Sequence, residues 1–136
     1  MSKKYKPQWF KSAFNFAEYT LIRDLKQCKY IDIEKNLISI GDTANATTNF
    51  IIDDSGQNKM VIYMPYSDVD LIFKQGLIVH ECVHIWQEIK TIMNEKEPSV
   101  EFEAYSIQCI SQDMIYLLGE SERFYELEKP TNQLRC

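Results

Sequence analysis

Apolar positions recur at helical spacing from about Gln8 to Gln27, at Trp9, Phe10, Ala13, Phe14, Ala17, Leu21, Ile22 and Leu25. That spacing predicts an amphipathic N-terminal helix covering a core. Ile31 and Ile33, then Leu37, Ile38 and Ile40, read as short strands that stop at Gly41 and Asp42. Thr48 to Ile52 and Met60 to Met64 are two apolar, β-branched runs. The turn-forming segment Asp53-Asp54-Ser55-Gly56-Gln57-Asn58 separates them, and Pro65 stops the second. Together they predict a β-hairpin. Ser67, three residues before Asp70, has the spacing of a capping box, so a long helix is expected from there to about Met93. Asn94 to Pro98 is a polar break, and Ser99 can cap a last helix from about Val100 to Leu118. The charged tail after Gly119 is expected to add at most one helical turn and then fray.

Composition narrows the class. With 136 residues and 45% hydrophobic positions, the chain reads as one α+β domain spanning 1–136. Four Gly and four Pro exclude linker-rich and collagen-like readings. The net charge of −5 argues against nucleic acid as a partner. No run of about 18 apolar residues predicts a membrane span. The basic N-terminus lacks the continuous apolar stretch of a signal peptide, being interrupted by Lys11 and Asn15. The four cysteines form no CxxC pair, so a reducing, cytoplasmic location is expected.

The chemistry concentrates in one place. His80-Glu81-Cys82-Val83-His84 is an H-E-x-x-H motif inside the predicted long helix, and it holds both histidines of the chain. Residues four apart share a helical face, so the two imidazoles can hold one metal ion. Glu81, about 100° further round, can reach a water on that ion. Zinc is the expected metal, since it takes nitrogen and carboxylate ligands and leaves a position for water in catalytic sites. By chance the pattern arises about once in a thousand such compositions. Cys82 projects away from His84 and reads as a core residue, and Trp86 is expected to pack on the sheet.

With this motif the sequence resembles the zincin metallopeptidases. Zincins that use a third histidine, the metzincins and the Spartan/SprT-like group, do not fit a chain with only two. The resemblance is to the glutamate type, the gluzincins, which take a third ligand from a Glu on a following helix. Val61-Ile62-Tyr63-Met64-Pro65, the segment His80 to Gln87, and Glu103-Ala104-Tyr105 are similar to the pieces of small ImmA/IrrE-like proteins and of zincin domains in phage and secretion-system effectors. The fold this implies is a minimal zincin. It would have an N-terminal helix, a short, mainly antiparallel sheet, the motif helix and a Glu-bearing helix.

Two acids compete for the third-ligand role. Glu103 shares a face with Ile107, Ile110, Met114 and Leu117, whereas Glu101 aligns with Tyr105, Gln108 and Gln112 on the polar side. A carboxylate on an apolar stripe needs a partner, and a metal ion supplies one. Glu103 is therefore the expected ligand with His80 and His84, and Glu101 reads as a first-turn acid facing the helix dipole. Thermolysin-type enzymes carry an Asp four residues after this Glu. Here that position is Ile107, so the residues orienting the ligands must come from elsewhere.

The resemblance implies that Glu81 is the general base for a zinc-activated water attacking a peptide bond. No free histidine is left to stabilise the oxyanion, which turns attention to Tyr63, Tyr66, Tyr105 and Tyr116, with Tyr105 predicted to point away. Tyr63, Tyr66 and Gln87 are the substrate-contact candidates, and the Met60 to Met64 strand is either a peptide-pairing sheet edge or an inner strand. A peptide or protein substrate is the implied partner. The alternative is a non-catalytic interaction module, such as a phage accessory or anti-defence protein that keeps the zincin fold and its zinc. A closed structural zinc site would leave Glu81 without a purpose.

Overall fold

The computed structural model describes residues 4–41 and 45–128. Asp42 and one of the four cysteines, Cys136, lie outside those residues. The architecture is α+β. A four-stranded mixed sheet has the order β1-β2-β4-β3 and comprises β1 (Phe10–Lys11), β2 (Ala17–Ile22), β3 (Thr47–Ile52) and β4 (Asn58–Tyr63). Three helices accompany it: the short α1 (Cys28–Ile31), and the long α2 (Leu71–Ile92) and α3 (Val100–Glu128). The outer ladders, β1 with β2 and β3 with β4, are antiparallel, and the central β2–β4 ladder is parallel. No helix of the described residues is long and apolar enough to cross a membrane.

The N-terminal segment is not the amphipathic helix its spacing predicts. It is the antiparallel pair β1–β2, joined by a turn in which Phe14 and Asn15 both have left-handed φ of 59°. Ser12 Oγ closes that turn by accepting from the Ala17 backbone N–H at 3.1 Å. The misreading has a physical cause. β2 is covered on both faces, so apolar residues fill it without the alternation that marks a half-exposed strand. Ala17, Tyr19 and Leu21 join the core under the long helices, while Ile22 faces the other side with Cys28, Ile31, Ile38 and Val61.

The expected strands around Ile31 to Ile40 are also absent. Asp24 and Gln27 form a reciprocal cap that starts a helical turn, and α1 ends at Asp32 in a left-handed conformation. Ile31 and Ile38 plug the second face of the sheet as single buried side chains. The hairpin is as expected. Asp53 Oδ1 accepts from Ser55 N and Gln57 N at 2.9 Å each, and Gly56 adopts φ +88° at the turn. β4 is an inner strand, however, and β3 forms the edge of the sheet.

The long helices are held by their caps and apolar stripes. Asp70, rather than Ser67, caps α2, its Oδ1 accepting from Phe73 N at 2.8 Å. Ser99 Oγ accepts from Phe102 N at 3.1 Å at the start of α3. Ile78, Cys82, Ile85 and Ile89 of α2 and Ile110, Met114, Leu117 and Leu118 of α3 are buried in one core with the sheet. α3 runs ten residues past Leu118 because its far end is engaged. Arg23, just after β2, donates from Nε to Met64 O at 2.6 Å and from Nη1 to Ser121 Oγ at 2.9 Å. Its Nη2 meets Glu122 Oε2 at 2.8 Å, and Lys74 of α2 donates to the other Glu122 oxygen at 2.8 Å.

Burial alone would raise the Glu122 carboxyl, but the hydrogen bonds and charges of Lys74 and Arg23 outweigh it and hold it below its ordinary value near 4.5. A carboxyl depressed in the fold adds stability above its unfolded pKa and loses it as pH falls through the folded value. Arg23→Met should cost about 3 kcal/mol in chemical denaturation, because Glu122 then keeps only one of its two cations. Glu122→Gln should be destabilised at neutral pH and lose less on acidification than the wild type. Parallel acid-unfolding curves for the two proteins would contradict that role.

Candidate metal centre

α2 has three working faces. Ile78, Cys82, Ile85 and Ile89 anchor it to the sheet. That leaves His80 and His84 pointing out of the core, with the His80 side chain 68% exposed. Their Nε2 atoms approach to 3.2 Å, and the rings stand edge to face. Two ligands at a zinc–nitrogen distance near 2.05 Å in a tetrahedral site lie about 3.3 Å apart. The separation of the pair thus matches that of two adjacent ligands on one ion. Gln87 Oε1 lies 3.1 Å from His84 Nδ1. A carbonyl oxygen at that distance can accept an Nδ1 proton, and the tautomer it favours has the Nε2 lone pair of His84 bare for a metal.

Glu81 lies on the next face, toward β3. It is 8% exposed; its Oε1 accepts from Thr48 Oγ1 at 2.6 Å, and its Oε2 lies 4.0 Å from His80 Nε2. The carboxylate thus stands between the edge strand and the imidazole pair. Thr48 was not singled out from sequence. The signal was the alternation Thr48, Phe50, Ile52, which puts one hydroxyl and two exposed apolar side chains on the same face of β3. Cys82 belongs to the anchoring face, where burial pushes its thiol up to about 12, so it stays a neutral core side chain.

Glu103 sits on the third side. The face assignment for α3 agrees with the structure in burying Ile110, Met114 and Leu117 and exposing Glu101 and Tyr105. The Glu103 carboxylate turns to α2, where Oε2 accepts from Trp86 Nε1 at 2.9 Å and lies 3.9 Å from Lys90 Nζ. Trp86 is buried edge-on against Phe102. Among the described residues, no three His, Cys, Asp or Glu side chains converge as a metal-holding group. Glu103 is therefore against the same helix as the histidines but engaged by different partners.

The substrate-contact candidates are scattered. Gln87 is beside His84. Tyr63 packs on the opposite face of the sheet, with Ile22, Cys28 and Val61, and so is separated from α2 by the sheet itself. Tyr66 stacks on Tyr125 at 4.4 Å and lies under the Arg23 guanidinium at 4.5 Å. Tyr116 meets Phe10 edge-on at 6.3 Å. Adjacency to Ile62 did not bring the Tyr63 ring to the helix side, because neighbouring residues of a strand point to opposite faces. The chain matches no family model, no curated protein and no solved structure.

Ligation by Glu103 requires its carboxylate to leave the Trp86 indole. Zinc added to the metal-free protein should therefore change the emission of Trp86, and the change should vanish in Trp86→Phe. Unchanged emission with stoichiometric zinc bound would mean that Glu103 stays on Trp86 and the third ligand lies elsewhere. Removing His84 should abolish the stabilisation by zinc. Zinc should stabilise the wild type by about 2.7 kcal/mol at a hundredfold excess over Kd.

Proposed function

We propose that this protein is a zinc-dependent peptidase of the glutamate zincin type, with His80, His84 and Glu103 as metal ligands and Glu81 as general base. The observation that carries the reading is the convergence of the two Nε2 atoms at 3.2 Å with the Glu81 carboxylate 4.0 Å away. An imidazole pair with a buried acid beside it is what metal-assisted hydrolysis needs. The arrangement of the elements supports the same reading: an edge strand runs beside the motif helix, and the following helix packs along that helix.

Zinc held by His80, His84 and Glu103 would supply a Lewis acid for the substrate carbonyl and would acidify a water. Glu81 takes the proton of the attacking water on Oε2 and returns it to the leaving amine. Thr48, by donating to Oε1, holds the carboxylate in that orientation. Gln87 sets the His84 tautomer. An extended peptide can add to the free edge of β3, where Phe50 and Ile52 offer apolar contacts beside Thr48.

A second reading is favoured by one observation. Ile72 and Phe73 in the first turn of α2 and Val79 beside His80 are exposed, as in a surface that meets another protein. In that reading the protein is a non-catalytic module that retains zinc.

Glu81→Gln should keep stoichiometric zinc by mass spectrometry and cut peptide cleavage by roughly 10²–10⁴-fold. Undiminished cleavage in that variant, or a wild type that takes up no zinc, would sink the peptidase. Stoichiometric zinc with no cleavage across a peptide library would favour the interaction module. Glu103→Ala should weaken zinc binding, and full retention of zinc would reassign the third ligand.

A further inference from the structure

α2 has another side, turned away from the imidazole pair. Trp86, two residues after His84, projects about 160° away around the helix. There it lines a cavity of about 450 Å³ between the β1–β2 edge of the sheet and the facing parts of α2 and α3. That volume is within the range of small-molecule sites, roughly 300–1,000 Å³. Four aromatic side chains contribute to the wall, Tyr19, Trp86, Phe102 and Tyr105, together with Ile110. Tyr105 is 62% exposed at this cavity, a large ring without full cover.

One charged group stands in the wall among them. Asp113 accepts from the Tyr19 hydroxyl on Oδ2 at 2.6 Å, which occupies one of its two oxygens. Burial, followed by the hydrogen bond and charge of Asp113, pushes the Tyr19 phenol far up, so Tyr19 remains the donor of this pair. Among the described residues no Lys, Arg or His lies within 4.0 Å of Asp113. Lys11, which also lines the cavity, is exposed and makes no ion pair with it. A half-buried carboxylate beside apolar walls is costly without a cation. Aromatic side chains attract a cation as well. The wall thus combines an anionic oxygen with aromatic and apolar side chains, and a ligand complementary to them is an organic cation.

We propose that this cavity binds a small protonated amine carried on an aromatic or apolar body. The ammonium group meets the free oxygen of Asp113, and the body fills the space between Trp86, Phe102 and Ile110. The cavity shares Trp86 with the metal centre through the Trp86–Glu103 hydrogen bond, but its test requires neither zinc nor cleavage activity.

The test compares three probes of one shape, phenethylamine, 2-phenylethanol and phenylacetate, titrated into the full chain by calorimetry with Trp emission as a second readout. Phenethylamine should bind with one-to-one saturation at least tenfold more tightly than 2-phenylethanol, and phenylacetate most weakly. Asp113→Asn should erase the preference for the amine. Because that variant also disturbs Tyr19, Cys109→Phe serves as a second one: Cys109 is exposed and lines the cavity, so a phenyl ring there should fill the space and abolish binding with Asp113 intact. Equal affinity for amine and alcohol, tighter binding of the acid, a preference that survives in Asp113→Asn, binding that survives in Cys109→Phe, or no saturable binding of any probe would each overturn the proposal.

Discussion

One buried guanidinium holds the layers together. Arg23 leaves the end of β2 on the helix side of the sheet, where it is 2% exposed and removed from water. A charge in that position needs partners. The backbone carbonyl after β4 and the Ser121 hydroxyl accept hydrogen bonds from it, and the Glu122 carboxylate of α3 pairs with it. Glu122 is shared with Lys74 of α2, so one network joins the ends of two strands to both long helices. The rotation of α2 about its axis then follows from two restraints, Lys74 at this network and the apolar stripe of Ile78, Cys82, Ile85 and Ile89 beneath it.

That rotation decides what each residue of the motif meets. Once the stripe is down on the sheet, His80 and His84 point outward, Glu81 is beside Thr48 of the edge strand, and Trp86 and Lys90 face α3. A rotation by one residue, about 100°, would in one sense bury His84 together with Glu81 and in the other expose Glu81. The exposure of the histidine pair and the burial of Glu81 are therefore two consequences of a single packing choice. On the far side the same choice leaves the aromatic cavity between α2, α3 and the start of the sheet.

Glu103 shows how tertiary contact can redirect a residue whose helical face was legible. Its place on the apolar side of α3 follows from spacing alone, since Ile110, Met114 and Leu117 lie on that side and are buried. Its partner does not. The carboxylate meets the first donor that α2 presents, the Trp86 indole N–H, with Lys90 close behind. Likewise, Tyr63 is next to Ile62 in sequence and on the other side of the sheet in space, because a strand alternates its side chains. Thr48 made no impression in sequence because a threonine in a strand is ordinary. Only the approach of α2 gives its hydroxyl a carboxylate to bind.

The sequence by itself determined the features set by local physics. These are the hairpin with its Asp53 and Gly56 turn, the helical state of both C-terminal segments, the shared face of His80 and His84, and the apolar stripe of α3. Each depends on residues a few positions apart, whose geometry is the same wherever the segment sits. Tertiary structure decided the rest. Residues 17–22 became a strand because a covered strand shows no alternation, and its pairing with β4 spans about forty residues of chain. α3 continued to Glu128 because Arg23, nearly one hundred residues earlier, needed Ser121 and Glu122. Such contacts form only after the chain has come together, and no periodicity within a segment records them.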